Sequence, residues 1–133
     1  MTLFAEPARR TYEDAETLLE IGRLATPDHL YGLACECALK AILAGLGVIA
    51  TTCPPRQFKV HMPQLWNEYL AVLSGRVASG LAVATTNPFA AWKVEDRYRD
   101  DADFTTQRVR GHRFGAQQAM ALLQRAQTEG IVE

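Results

Sequence analysis

The sequence predicts an all-α fold, an up-and-down bundle of four main helices with one short extra helix, in a single domain over residues 1–133. Three observations predict it. Apolar residues recur at helical spacing along four separate stretches. Capping residues and helix breakers stand at the ends of those stretches. No segment alternates apolar and polar residues for long enough to require a strand. At 133 residues, 48% hydrophobic and 22% charged, the chain is long enough for one real core and has an ordinary globular composition.

The first helix is predicted from Ala8 to Leu24, where Tyr12, Ala15, Leu18, Leu19 and Gly22 form one stripe. The second is predicted from Pro27 to Leu46. Thr26 suits the N-cap, Pro27 the first helical position and Asp28 the positive helix end, and Gly45 and Gly47 are available to stop the helix. "VIATTCPPRQFKV" reads as a loop because of its paired prolines. A third helix fits Pro63 to Leu73, with a stripe of Leu65, Trp66, Tyr69, Leu70 and Leu73. The extra helix is placed over Val77 to Ala84. "NPFAAWKVEDRYRDDADF" reads as irregular, or as a brief turn capped by Asn87 and Pro88. Thr105 or Thr106 caps a last helix reaching Thr128, with a stripe of Val109, His112, Ala116, Ala119, Leu123 and Ala126. Gly111 and Gly115 weaken it by about 1 kcal/mol each against Ala.

A net charge of -1 excludes a global basic field, so any contact with RNA or a nucleotide is local. The longest apolar run, Ala41 to Ala50, is too short to cross a bilayer, which predicts no membrane partner. "MTLFAEPARR" lacks a basic-then-apolar signal pattern, so a cytoplasmic location is the expectation. Cys35, Cys37 and Cys53 are odd in number and irregular in spacing, which argues against a disulfide framework. Cys35 and Cys37 point to roughly opposite helix faces and cannot chelate one metal; they read as small buried hydrophobes. Neither a metal nor a cofactor is expected.

The order of features resembles a known family. "ACECALKAIL" is close to an A-x-E-x-x-L-K-A-x-L pattern, a His opens the helix start "HMPQLWNEYL", and "EDRYRDD" precedes the last long helix. In this order the chain, over Tyr12 to Gln127, resembles the HEPN (higher eukaryotes and prokaryotes nucleotide-binding) domain family. The resemblance implies a four-helix bundle with an extra short helix, often homodimeric and often serving toxin–antitoxin, defence or stress systems. It implies a nucleotidyltransferase as partner protein and, in one branch, metal-independent ribonuclease activity. That branch uses an Arg and a His with four to six residues between them, near the start of the last helical part. Here Arg97 holds the comparable place, but Ala102, Asp103 and Phe104 follow it. "RQFKVH", Arg56 to His61, matches the spacing in the wrong element. Arg108 and His112 are one residue too close, yet at i and i+4 they share a helix face and are the candidate catalytic pair.

The binding candidates are Glu36, Lys40, His61, Arg97, Tyr98, Arg108 and His112. Two readings of Glu36 and Lys40 stand. They form an i,i+4 pair worth a few tenths of a kcal/mol. Alternatively, Glu36 points inward to Arg97 with Lys40 at the mouth of the same groove, either as structural glue or as a receiver of an anionic ligand. His61 anchors the start of the third helix, or contacts a phosphate or base there. The strip Arg108, Arg110, His112 and Arg113 is a solvated face or a phosphate contact, and Asp96, Asp100, Asp101 and Asp103 stand ready to neutralise it. Phe89, Trp92, Tyr98 and Phe104 read as packing for the irregular segment, with base stacking as the alternative. Three functions follow. One is a non-catalytic module binding a nucleotide, RNA or a protein. The second is a divergent ribonuclease using Arg108 and His112. The third is a purely structural interaction protein.

Overall fold

The computed structural model describes residues 3–48, 60–74 and 79–133. Among these, four α-helices form an all-α bundle without strands: α1 (Ala5–Glu20), α2 (Ala25–Gly45), α3 (Gln64–Ser74) and α4 (Thr106–Thr128). Three 3-10 turns, at Ser79–Leu81, Val94–Tyr98 and Asp101–Asp103, punctuate the long connection between α3 and α4. The predicted Val77–Ala84 helix falls partly outside the described residues and is otherwise a single 3-10 turn. Cys53 and Arg56 also lie outside them. No helix among the described residues is long and apolar enough to cross a membrane.

α2 is the centre of the bundle. Tyr31, Ala34, Cys35, Ala38, Leu39, Ala41, Ile42 and Leu43 are all fully buried, so apolar residues face protein on nearly every side. α1 runs antiparallel to it: Phe4 approaches Lys40 (6.0 Å to the ring centroid) and Tyr12 meets Tyr31 edge-on at 5.9 Å. α4 runs parallel to it, with His112 beside Asp28 near the helix starts and Ile131 and Val132 against Gly45 at the ends. Arg113 Nε donates to both carboxylate oxygens of Glu16, at 2.9 and 3.1 Å, and so ties α4 to α1. The predicted α4 stripe is buried throughout, and Thr105 caps the helix by accepting from Arg108 N at 3.1 Å. Leu65, Trp66, Tyr69 and Leu73 of α3 are buried, and Leu70 is partly so. Tyr69 OH donates to Leu81 O at 2.6 Å and Trp66 Nε1 to Ala84 O at 2.9 Å, which draws the following connection over α3.

Two predicted helix ends move for identifiable reasons. α1 stops at Glu20 rather than Leu24 because Gly22 adopts φ 92°. This left-handed conformation suits glycine and ends helices. Arg23 N then donates to Leu18 O at 3.0 Å. α2 starts at Ala25, before the expected Thr26 cap, and no local side chain caps it. Asp101 Oδ1 does so from the far connection, accepting from Leu24 N at 2.9 Å and Ala25 N at 2.8 Å. These two hydrogen bonds hold the Asp101 carboxyl below its usual range. The cap is therefore fully present at neutral pH and is lost as pH falls below about 4, through the depressed value. Asp101→Ala is expected to lower stability at pH 7, and the gap from wild type is expected to close in acid. Denaturant midpoints across that range check it; a gap independent of pH would contradict the cap.

The glycines of α4 are not equivalent. A Cβ at Gly115 would lie 2.6 Å from both Phe89 and Pro88, whereas one at Gly111 would meet nothing within 4 Å. Gly111→Ala is expected to stabilise by about 1 kcal/mol through helix propensity. Gly115→Ala is expected to destabilise, because the 88–92 turn loses its seat. Thermal melts of the two variants should move in opposite directions.

Candidate functional site

The 87–98 connection runs along α2 and meets the start of α3, and these three pieces enclose a cavity. Asn87 starts the connection: its Oδ1 accepts from Phe89 N at 2.9 Å and its Nδ2 donates to Pro63 O at 2.8 Å. Trp92 then packs onto the bare backbone of Gly32, where a Cβ would sit 2.2 Å from the ring, and Trp92 Nε1 donates to Asp28 O at 3.0 Å. His29 stacks on the same indole at 5.7 Å; burial first and Arg97 second lower its pKa. The cavity beside Trp92 measures about 400 Å³ and is lined by Leu33, Glu36, His61, Met62, Trp92 and Val94. Its walls are apolar, and Glu36 and His61 supply the polar end.

Glu36 is the acid that the second helix carries among its apolar residues. Its Oε2 accepts from Lys40 Nζ at 3.2 Å and lies 3.1 Å from His61 Nδ1, while Oε1 accepts from Met62 N at 3.1 Å. The carboxylate thus fastens the entry of α3 to α2. His61 is otherwise exposed, with 69% of its side chain open to solvent, and its carbonyl accepts from Leu65 N at 2.9 Å. Lys40 is buried and faces Glu36 and Phe4, so it is not at the mouth of a groove. Cys37, the next residue along α2, has its thiol pushed up to about 11 by burial first and Glu36 second, which removes it as a nucleophile at neutral pH.

The expected pairing of Glu36 with Arg97 is not made. The Val94–Tyr98 turn carries Arg97 outward, where Nη1 donates to Val94 O at 3.3 Å and Nη2 to Tyr98 OH at 2.7 Å. Its guanidinium lies 4.6 Å from the centroid of the Tyr98 ring, and that ring is 76% exposed. Nearer groups occupy three of the Glu36 acceptor sites, and Val94 with Trp92 closes the cavity instead. Phe89, Trp92 and Phe104 pack as expected, and Tyr98 does not.

Arg108 and His112 do come together, through a residue whose role the sequence hides. Asp28 is 1% exposed and hydrogen-bonds His112 Nδ1 through Oδ1. Its Oδ2 lies 3.5 Å from Arg108 Nε, and Arg108 Nη2 donates to Asp96 Oδ2 at 2.7 Å. The His112 ring is buried and stacks on Phe89 at 5.2 Å, and the Arg108 guanidinium lies 5.3 Å from the Phe104 ring. These four side chains form an internal network joining α2, the connection and α4. The basic strip is accordingly consumed from within. Arg108 and His112 are held by Asp28 and Asp96, Arg113 by Glu16, and Arg110 remains exposed.

The sequence assigns Asp28 to the helix dipole. The signal of its burial is its register: Asp28, Tyr31, Cys35, Leu39 and Ile42 share one face of α2, so the acid stands on the apolar stripe. Leu33, Met62, Trp92 and Val94 give no such signal, because the chain brings them together only by folding. Among the described residues, no group of three or more His, Cys, Asp or Glu side chains is placed to hold a metal ion. No family model, curated protein or solved structure matches the chain.

Proposed function

We propose that this chain is a HEPN-like, non-catalytic binding module that takes a nucleotide by its base in the cavity beside Glu36 and His61. One observation carries the reading. A cavity of about 400 Å³, with apolar walls and only Glu36 and His61 as polar lining, has the size and make-up of a small-molecule site. Leu33, Met62, Trp92 and Val94 supply the apolar walls, and Glu36 and His61 offer hydrogen bonds at one end. The family resemblance supports a nucleotide as the ligand class. It also supports a homodimer, a nucleotidyltransferase partner and a role in a toxin–antitoxin, defence or stress system.

The ribonuclease alternative rests on Arg108 and His112. Both are engaged with Asp28 and Asp96, and His112 is 4% exposed, so they serve the fold rather than a substrate. Purified protein is expected to leave single-stranded RNA intact; cleavage that His112→Ala abolishes would overturn this reading. Titration calorimetry with AMP tests the cavity directly. Wild type is expected to give saturable heat. Leu33→Trp, which fills the cavity, is expected to reduce affinity at least about tenfold with unchanged helical circular dichroism. Absence of binding by wild type, or equal binding by the variant, would contradict the proposal.

A further inference from the structure

We infer that the cavity selects a neutral ring bearing a single in-plane amino group, the edge that adenine and cytosine present, and that Glu36 is the residue that reads it. The inference rests on the nucleotide reading above and adds which base is taken.

It follows from counting acceptor sites. An ionised carboxylate offers about four lone-pair sites. Three of those on Glu36 face internal groups: Lys40 Nζ and His61 Nδ1 at Oε2, and Met62 N at Oε1. One acceptor site remains, on Oε1. A base with one amino donor fits that vacancy. Guanine presents two parallel donors, its ring N–H and its amino group, and asks for both carboxylate oxygens at once. An anionic group brings only acceptors and cannot use an acceptor site on Glu36.

The surroundings place the rest of such a ligand. A second groove of about 390 Å³ shares Met62, Trp92 and Val94 with the cavity and adds Gln64, Lys93 and Glu95. The apolar slot therefore continues into a more polar channel. A base held at Glu36 has its ribose and phosphate directed away from the carboxylate, past Trp92.

The decisive experiment compares nucleosides that differ at this one edge: adenosine, purine riboside, which lacks the amino group, and guanosine. Each is titrated into wild type and into Glu36→Gln. Adenosine is expected to bind wild type about tenfold or more tightly than either analogue, the range of a hydrogen bond to a charged group. The Glu36→Gln substitution is expected to shrink the gap between adenosine and purine riboside. Should that variant fail to fold, the wild-type comparison decides alone. Equal binding of adenosine and purine riboside by wild type would overturn the selectivity while leaving the cavity as a nucleoside site. Binding of none of the three would overturn both the selectivity and the cavity reading.

Discussion

Asp28→Ala is expected to cost about 3–5 kcal/mol of stability, because Asp28 is the most buried charged side chain among the described residues. The residue is 1% exposed and its two oxygens face different partners, His112 on one side and Arg108 on the other. Removing it leaves an imidazole and a guanidinium in a low-dielectric interior without their carboxylate. The cost is that of the stranded groups more than of the lost contacts. Asp96 retains Arg108 Nη2 at 2.7 Å and limits the damage on that side. Asp28→Asn keeps the shape and one acceptor, so it should lose less than the alanine variant. Urea unfolding of the three proteins orders them wild type, Asn, Ala. A loss below about 1 kcal/mol for Asp28→Ala, typical of a surface pair, would mean that the network is not structural.

Gly32→Ala should likewise destabilise, against the direction that helix propensity predicts. Mid-helix, exchanging Gly for Ala ordinarily gains about 1 kcal/mol. Here the added Cβ would fall 2.2 Å from Trp92 Cε2 and 2.5 Å from Trp92 Nε1. The indole cannot retreat cheaply. It is stacked under His29 and bonded to Asp28 O, and it is 2% exposed. Overpacking of this kind costs about 1–3 kcal/mol, enough to reverse the sign. Because Trp92 is a wall of the cavity, AMP affinity should fall together with stability. Gly111→Ala, with open space at its Cβ, is the internal control: it should gain stability and leave binding unchanged. A stabilised Gly32→Ala would show that the indole does not lie on the α2 backbone.

How much of this was legible in the sequence depends on whether the physics is local. The α4 stripe, the Thr105 cap and the Asn87 turn are written within a few residues of themselves, and the folded chain carries all three. The Glu36–Lys40 pair is also local, since four residues on a helix place the two side chains together. Asp101 capping α2 across 76 residues is invisible to any window, because the carboxylate replaces a cap that Thr26 was expected to supply. Arg97 was misplaced for a related reason. Complementary charge made it a partner for Glu36, but a 3-10 turn aims it at its neighbour Tyr98, and His61 and Met62 N reach the carboxylate instead. The cavity has no sequence signature, since its walls come from α2, the entry of α3 and the Trp92 turn.

The central claim is that ligand enters beside Trp92, and the two indole N–H groups of the chain report on it separately. Trp92 Nε1 donates to Asp28 O beside the cavity, and Trp66 Nε1 donates to Ala84 O under α3. In a nitrogen-15 correlation spectrum, added AMP should shift the Trp92 indole signal saturably and leave that of Trp66 in place. A Trp92 signal that stays still while Arg108 to Arg113 respond would move the site to α4 and contradict the account.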